Sequence, residues 1–215
     1  MKHMKDRIQT LPLRARQAGL AREVILGAAR QLFATRGYAH TSMQAVARLA
    51  GVSIQTVYSN VGGKPALVMA LVDLADQITD VAVLAKRVEE ATDPSEVLRR
   101  AAALRRAYLE KAADIVRTLG GAADVDEDVA QAWREGQRRS RRAVERIAQK
   151  LAGLRGLRPD LGEKDAADML FALFTPALYT RLTVDCGWGA DRYESWLSDS
   201  MGRLVLDDAA RKRRR

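Results

Sequence analysis

The stretch "AGVSIQTVYSNVGGK", residues 50–64, governs how the first third of the chain folds. Gly51 follows a run of small and apolar residues, and because glycine adopts a positive φ without strain, a tight turn is expected there. Ser53 suits the position before a helix, since its hydroxyl accepts a backbone N–H. Residues 54–60 then make about two helical turns before two glycines interrupt the chain. The stretch therefore predicts a turn followed by a short helix.

Two further helices are predicted upstream of this turn. Apolar residues at positions i, i+3, i+4, i+7 and i+8 between Ile25 and Phe33 form the stripe of an amphipathic helix, which Gly37 ends. Thr41 opens the next helix, and Gln44 three residues later completes a capping-box pattern. Two helices joined by a glycine turn and supported by a first helix form a helix-turn-helix arrangement.

The third helix is expected to turn its valines inward and its polar side chains outward. Ala47 and Gly51 should let the second and third helices cross closely, and Gly51 should take the positive φ of the turn. The outward groups are short or planar, bear no negative charge, and are able to bond base edges or phosphates. They are Ser53, Ile54, Gln55, Thr56, Tyr58, Ser59 and Asn60.

Positive charge is concentrated at this end of the chain. The protein has 215 residues and a net charge of +9, of which +8 falls within residues 1–65, with ten Lys or Arg and two acids. The 49 residues between Glu23 and Asp73 contain no acid. Such a surface is expected to approach a polyanion, with a solubilising basic arm as the alternative interpretation.

The rest of the chain predicts longer helices, which makes the fold class all-α. A helix starts at Pro94 and ends before Gly120 and Gly121, and a second passes through Trp133 to residue 151. Pro176 should kink or break a later helix. The arginines between residues 134 and 146 are interpreted as a solvated face paired with Glu135 and Glu145, or alternatively as a second anion contact.

Several classes of function find no support in the composition. Cys186 is the single cysteine, which excludes an internal disulfide and fits a reducing cytoplasm. No apolar run is long enough to span a membrane, and the basic N-terminus lacks the apolar segment of a signal peptide. His3 and His40 are too few for a metal site, and neither a phosphate-binding loop nor a nucleophile motif occurs, so no metal, cofactor or enzymatic activity is expected.

The segment "ILGAARQLFATRGYAHTSMQAVARLAGVSIQTVYSNVGGKPALV", residues 25–68, closely resembles the N-terminal domain of the tetracycline-repressor (TetR) family of bacterial transcriptional regulators. The resemblance implies an all-helical homodimer with an N-terminal three-helix DNA-binding domain and a larger C-terminal helical bundle. It implies phosphate contacts by Thr41, Ser42, Tyr58 and Lys64. The residues nearest the bases would be Ile54, Gln55, Thr56, Ser59 and Asn60.

Domain boundaries combine the pattern with this resemblance. Residues 1–19 are expected to form a flexible basic arm, residues 20–65 the DNA-binding domain, residues 66–207 the ligand-binding and dimerisation domain, and residues 208–215 a basic tail. Family analogy further indicates the residues that would line an effector cavity. They are Tyr108, Trp133, Gln137, Phe171 and Phe174, with a plain hydrophobic core as the alternative.

The predicted function is that of a ligand-responsive transcriptional regulator, most often a repressor. A homodimer would present two recognition helices to double-stranded DNA at a palindromic operator, and a small, mostly apolar effector would release it. Two alternatives remain open at this stage. One is a ligand-independent architectural DNA-binding protein, and the other is a cytosolic helical enzyme with an incidental basic N-terminus.

Overall fold

The computed structural model describes residues 13–124 and 126–212. Regular structure in these residues is helical, apart from one isolated β-bridge between Leu157 and Leu206, which confirms the predicted all-α class. The first four helices are α1 (Leu13–Arg36), α2 (Met43–Ala50), α3 (Ile54–Val61) and α4 (Lys64–Thr79). The later elements are α5 (Val81–Glu90), α6 (Pro94–Ala122), α7 (Glu127–Gly153), α8 (Glu163–Leu173), α9 (Pro176–Thr180), a π-helix (Arg181–Asp185), α10 (Ala190–Val205) and α11 (Asp208–Lys212).

The described residues divide into two compact units. The first contains the residues up to Asp73 together with Arg117–Trp133, and the second contains Leu74–Val116 and the residues from Arg134 onward. The end of α6 and the start of α7 therefore pack with the N-terminal helices. This division differs from the boundary predicted after residue 65, because the N-terminal unit recruits a segment that is distant in sequence. None of the described helices has the length and apolarity needed to cross a bilayer.

The first helix is longer than the sequence pattern predicted. Part of the predicted flexible arm is helical, since α1 begins at Leu13, while residues 1–12 lie outside the described residues. Residues 13–18 have the sequence LRARQA, and all of these types have favourable helix propensity. Gly19 is accommodated within the helix at a cost of about 1 kcal/mol. The amphipathic stripe between Ile25 and Phe33 marks buried residues of α1 and does not indicate where the helix begins.

The core of the first unit is formed by the inward faces of α1, α2 and α3. Ile25, Val46 and Val57 are completely buried, and Phe33 and Val61 are nearly so. These residues recur at helical spacing, so each helix contributes one apolar stripe and leaves its other face to solvent. The packing holds α3 against α1 and α2 along its valines, as predicted.

The second unit is built around leucines from several long helices. Leu98, Leu109, Leu151, Leu170 and Leu197 are all at most 1% exposed. The predicted start of α6 is confirmed: Asp93 Oδ1 accepts the Glu96 N–H at 3.0 Å, with proline as the first helical residue.

Helix breaks in this part of the chain match the prediction in one place and not in another. Pro176 does break the helix, since α8 ends at Leu173 and α9 begins at the proline. The break predicted at Gly120 and Gly121 is wrong, because α6 continues through both to Ala122. The helix α5 is absent from the sequence prediction; it follows Asp80, whose positive φ of 53° separates it from α4.

Two charged segments have defined surroundings within the second unit. The predicted basic tail is partly helical, since Asp208–Lys212 forms α11 and Ser95 Oγ donates to the Ala210 carbonyl at 3.1 Å; residues 213–215 lie outside the described residues. The arginines of α7 pair with acids, as in Arg138 to Glu135 at 3.0 Å. The solvated, ion-paired interpretation of this helix is therefore confirmed for the pairs the structure describes.

Candidate nucleic-acid interface

The short helix α3 is capped and exposed as the sequence predicted. Ser53 Oγ accepts the Thr56 N–H at 3.0 Å and lies 2.8 Å from Thr56 Oγ1, which makes Ser53 the N-cap. On the side away from the buried valines, Ile54 is 36% exposed and Tyr58 is 51% exposed. A rigid two-turn helix thus presents uncharged side chains to solvent.

The outward side chains differ in whether they already form hydrogen bonds within the protein. Ser59 Oγ and Asn60 Nδ2 both donate to the Thr56 carbonyl, at 3.1 and 2.8 Å. Gln55 and Tyr58 make no side-chain hydrogen bond to the described residues. Gln55 and Tyr58 are therefore the polar groups of this helix most available to an outside partner.

The turn between α2 and α3 depends on backbone conformation at Gly51. Its φ of 68° and ψ of 29° place it in the left-handed region, as predicted, and its N–H bonds the Ala47 and Arg48 carbonyls. The predicted close crossing of helices at this glycine is wrong, because a Cβ added there would meet nothing within 4 Å. Glycine serves the turn through its φ.

The start of α2 is one residue later than predicted. Ser42, and not Thr41, is the N-cap, with its Oγ accepting the Ala45 N–H at 3.1 Å. Thr41 is only 2% exposed and donates its hydroxyl to the Gly37 carbonyl at 2.8 Å. The side chain of Thr41 thus closes the loop after α1, whereas Ser42 is exposed and keeps its hydroxyl proton free for an anion.

A compact cluster surrounds Lys64 at the first position of α4. Its Nζ lies 4.0 Å from the centroid of the Tyr38 ring, and the Tyr38 hydroxyl donates to Asp126 Oδ2 at 2.9 Å. Burial lowers the pKa of Lys64, while the charge of Asp126 acts in the opposite direction. The Val129 N–H lowers the pKa of Asp126, with a further contribution from Tyr38. Lys64 is therefore half-buried and held beside a carboxylate.

Arg22 is a positioning residue that sequence analysis missed. Its Nη1 donates to the Asn60 carbonyl at 2.8 Å, which ties the last turn of α3 to α1. A cation near the C-terminus of a helix stabilises its free carbonyls. The two residues are 38 positions apart, so no local pattern could have identified the contact.

Within the first unit, the acids of the described residues lie at Glu23 and Asp73, on either side of the acid-free stretch, and in the segment that joins the unit from later in the chain. No acid occurs between Glu23 and Asp73, while Arg36 and Arg48 are exposed along this stretch. The acidic turn, which includes Asp126 and Asp128, belongs to the same unit. Its charge acts on the Lys64 cluster described above.

Comparison with known proteins assigns this domain. The model of the family described as "Bacterial regulatory proteins, tetR family" matches residues 25–71. Within residues 25–71 the chain is therefore similar to the N-terminal domain of TetR-family regulators. No curated protein matches the sequence.

Several solved structures share the fold of this chain over most of its length. NalD of Pseudomonas aeruginosa, described as the secondary repressor of the MexAB-OprM multidrug efflux pump, is 22% identical and has a TM-score of 0.68. That alignment covers 89% of this chain and 99% of NalD. SmeT, solved in complex with triclosan, is 19% identical with a TM-score of 0.74, covering 88% of this chain and 93% of SmeT.

The residues that family analogy suggested for an effector cavity do not all lie in one unit. Trp133 belongs to the unit of the DNA-binding helices, where a Cβ added at Gly120 would lie 3.5 Å from its indole. The other four, Tyr108, Gln137, Phe171 and Phe174, belong to the second unit. Trp133 thus packs beside the end of α6 within the first unit.

Within the second unit, Phe174 has the surroundings expected of a cavity wall. It is 5% exposed and, with Leu104 and Ile147, lines an apolar cavity of about 60 Å³. Phe171 is half-buried beneath the Arg141 guanidinium, whose Cζ is 5.6 Å from the ring centroid. In the part of the chain that the structure describes, no group of three or more His, Cys, Asp or Glu is arranged to hold a metal ion.

Proposed function

We propose that this protein is a ligand-responsive DNA-binding transcriptional regulator of the TetR family, a repressor that leaves its operator when a small effector binds. The observation that carries the proposal is the exposure of α3 as a capped helix with uncharged hydrogen-bonding side chains inside an acid-free stretch of 49 residues. Such a helix fits a major groove, whose floor offers donors and acceptors between two rows of phosphates.

Gln55 and Tyr58 are the proposed centre of the contact. A glutamine near the N-terminus of a recognition helix is able to bond adenine at N6 and N7, and the Tyr58 hydroxyl is able to reach a phosphate. Ser53, Ile54, Thr56, Ser59 and Asn60 would flank them. Ser42 and Lys64 would add phosphate contacts from the N-termini of α2 and α4, where the helix dipole favours an anion.

Dimerisation is proposed through α8 and α10 of the second unit. These helices pack against each other and leave Met169 36% and Leu204 39% exposed. Two-fold pairing is the commonest oligomer, and it would place two α3 helices in successive major grooves about 34 Å apart on a palindromic site. The arrangement requires both half-sites for tight binding.

The effector is proposed to be small and mostly apolar and to bind in the second unit. NalD is described as an efflux-pump repressor, and SmeT was solved with triclosan, which supports this class of ligand. An effector that binds better to one arrangement of the recognition helices would shift the population toward it. The helices α4, α6 and α7 each contribute residues to both units and would carry that preference.

The hydrogen bond between Tyr38 and Asp126 would transmit a movement of α7 to Lys64 within the first unit. Asp126 caps α7, since its Oδ1 accepts the Val129 N–H at 3.2 Å, and it holds the Tyr38 ring beneath Lys64. A displacement of the start of α7 would therefore alter the position of a proposed phosphate ligand. We propose no catalytic role for the protein. Its proposed place of action is the cytoplasm, where it would bind DNA.

Selection of genomic DNA fragments by the purified protein, with and without cell metabolites, tests the proposal. We expect enrichment of a palindromic sequence at physiological salt and its loss with a metabolite fraction. Binding without sequence preference would instead indicate an architectural protein, and absence of binding to duplex DNA at low salt would refute the proposal. Lys64→Ala should weaken all sites alike and reduce the salt slope by about one.

A further inference from the structure

Arg105 of α6 is a buried cation in the core of the second unit. It is 8% exposed, and its guanidinium contacts Phe174, a buried member of the hydrophobic core. Its neighbour Arg106 shows the ordinary arrangement, with ion pairs to Glu110 at 3.3 Å and Glu194 at 3.0 Å. No carboxylate among the described residues lies within ion-pair distance of the Arg105 guanidinium.

An uncompensated arginine in this position is energetically costly. Burying a charge requires a partner to replace the lost water, and a buried lysine or carboxyl group escapes the cost by becoming neutral. Arginine keeps its proton in proteins, so Arg105 does not avoid the cost of burial by becoming neutral. Burial lowers the pKa of Arg105, but the group remains charged at neutral pH. The charge therefore calls for a counter-ion.

The fold supplies hydrogen-bond partners for only some of the guanidinium N–H groups. Arg105 Nη2 donates to the Phe174 carbonyl, which the helix break before Pro176 leaves available. Arg105 Nε has no hydrogen-bond partner among the described residues. A purely structural clamp would account for the bond to the Phe174 carbonyl and the contacts with the Phe174 ring and Tyr193, and it would leave Nε and the net charge without a partner in the described part of the chain.

Two tyrosines complete a cluster around this donor. The hydroxyl of Tyr193 is fully buried beside the Arg105 guanidinium, which acts to lower the pKa of the hydroxyl, but the two groups are not aligned as a well-formed hydrogen bond. Burial raises the pKa of Tyr193 to about 12, so it remains a neutral donor. Tyr108 is half-buried nearby, and Asp76, which acts on it, pairs with Arg139 at 3.4 Å.

An apolar cavity adjoins the cluster. It measures about 60 Å³, and its wall is mostly apolar, with Glu89, Arg146 and Lys150 as its charged members. Phe174 lines this cavity and also contacts Arg105, so it is the residue that the cavity and the cluster share. The Phe174 ring centroid lies 5.6 Å from the Arg105 Cζ. A ligand with an anionic end and an apolar body would place the two parts against matching surfaces.

We propose that Arg105, Tyr193 and Tyr108 form an anion-binding site that receives the carboxylate of an apolar effector, whose body occupies the neighbouring cavity. The inference rests on the proposed function and specifies the effector class, because it gives the mostly apolar ligand an acidic group. The Arg105 guanidinium supplies the charge, and the Tyr193 hydroxyl donates a second hydrogen bond to the carboxylate.

Calorimetric titration of the full-length protein with matched acids and amides tests the site. The ligands are propanoate, butanoate and pentanoate, whose short apolar bodies suit a cavity of about 60 Å³, and each is compared with its primary amide, which has the same shape without the charge. We expect at least one acid to bind the wild-type protein about tenfold or more tightly than its amide, which is the effect of one charge-assisted hydrogen bond. Equal binding of acids and amides, or no binding of either, would overturn the inference.

Variants separate this role from a structural one. Arg105→Gln should abolish the preference for acid over amide, and Arg105→Lys should retain part of it. Tyr193→Phe removes one hydroxyl without changing the packing and should reduce the preference several-fold, so the test survives if Arg105→Gln does not fold. The control is Arg99→Gln, which removes the same charge from an exposed position on α6. A preference unchanged in Arg105→Gln and Tyr193→Phe would contradict the assignment.

DNA release distinguishes this inference from the proposed function. If the acid binds through Arg105 but the protein ignores duplex DNA, the anion site stands and the regulatory function fails. If DNA is released only by neutral compounds and the acids do not bind, the regulatory function stands and the anion site fails.

Discussion

Gln55 is the side chain on which the proposed base contact depends most. It is exposed at the second position of α3 and makes no hydrogen bond to the described residues, so its amide reaches the groove without losing an internal partner. Gln55→Ala should weaken binding to the selected operator by about 1–3 kcal/mol and leave the salt slope unchanged, because a base contact is lost and no phosphate contact. Fluorescence anisotropy with operator and scrambled duplexes measures both quantities.

The control for Gln55 is Gln31→Ala, which removes the same amide from an exposed position on α1. It should leave the affinity for the operator as in the wild type. Equal loss of affinity for operator and scrambled DNA in Gln55→Ala would show that this residue has no role in sequence recognition.

Asp126 gives the stability of the DNA-binding unit a pH dependence of known sign. The Val129 N–H and the Tyr38 hydroxyl lower its pKa below the ordinary value of 3.8, so folding favours the carboxylate. This stabilisation is present above the ordinary pKa and is lost as the pH falls through the lowered one. Asp126→Asn, which keeps the acceptor but not the charge, should have a lower Tm than the wild type at pH 7, and this difference should narrow as the pH falls below 3.8.

Thermal unfolding followed by circular dichroism measures this difference across the pH range. Asp124→Asn, which neutralises an exposed acid two residues earlier, serves as the control and should show no comparable difference. A Tm gap between Asp126→Asn and the wild type that did not narrow on acidification would contradict the role assigned to the charge.

At the scale of the elements, the α2–turn–α3 segment depends on one backbone angle. Gly51→Ala forces a side chain into the left-handed region at φ 68°, where space is open, so the cost is conformational and about 1–2 kcal/mol. For a chain of this size the Tm should fall by roughly 2–8 °C. Gly27→Ala lies inside α1 with open space around its Cβ, and the Tm should rise by roughly 1–4 °C.

These two glycine variants add the same methyl group at positions that differ in φ. Differential scanning calorimetry resolves the sign of each change. A destabilisation by both variants would indicate that added volume matters at these sites, and that the backbone angle at Gly51 does not set the cost.

The elements predicted correctly are those whose signals are local. The hydroxyl of Ser53, the glycine at 51 and the spaced valines act within a few residues, so the sequence alone indicated α3 and its exposed side. The errors arose where distant residues decide. The glycines at 120 and 121 predicted a break, yet α6 continues through both to Ala122, and Trp133, which is distant in sequence, packs beside Gly120.

Tertiary contacts also explain the positions that no pattern indicated. The Arg22 bond to the end of α3 and the bond between Tyr38 and Asp126 each join residues far apart in sequence. Burial of Thr41 follows from the loop that its hydroxyl closes against Gly37. A capping pattern predicts that a helix starts nearby, and the tertiary packing selects which of two adjacent hydroxyl residues becomes the cap.

At the scale of the whole molecule, affinity for a palindromic site should depend on pairing of two chains. Leu204→Glu together with Met169→Glu places charges on the apolar surface of α10 and α8, where each native side chain is more than one third exposed. Burial of these charges at an interface is costly, so the variant should be monomeric in light scattering after size exclusion. Because only one half-site is then engaged at a time, operator affinity should fall by about a hundredfold or more.

Val83→Glu is the matched control for dimerisation, since Val83 is 53% exposed on α5, away from the proposed pair of helices in sequence. It should leave both the dimer and operator binding intact. The double variant should also bind a single half-site duplex as tightly as the wild type does, because each α3 surface is unchanged. A double variant that remained dimeric would exclude these faces as the interface, and a monomer that bound the full operator at wild-type affinity would show that recognition of the site needs only one chain.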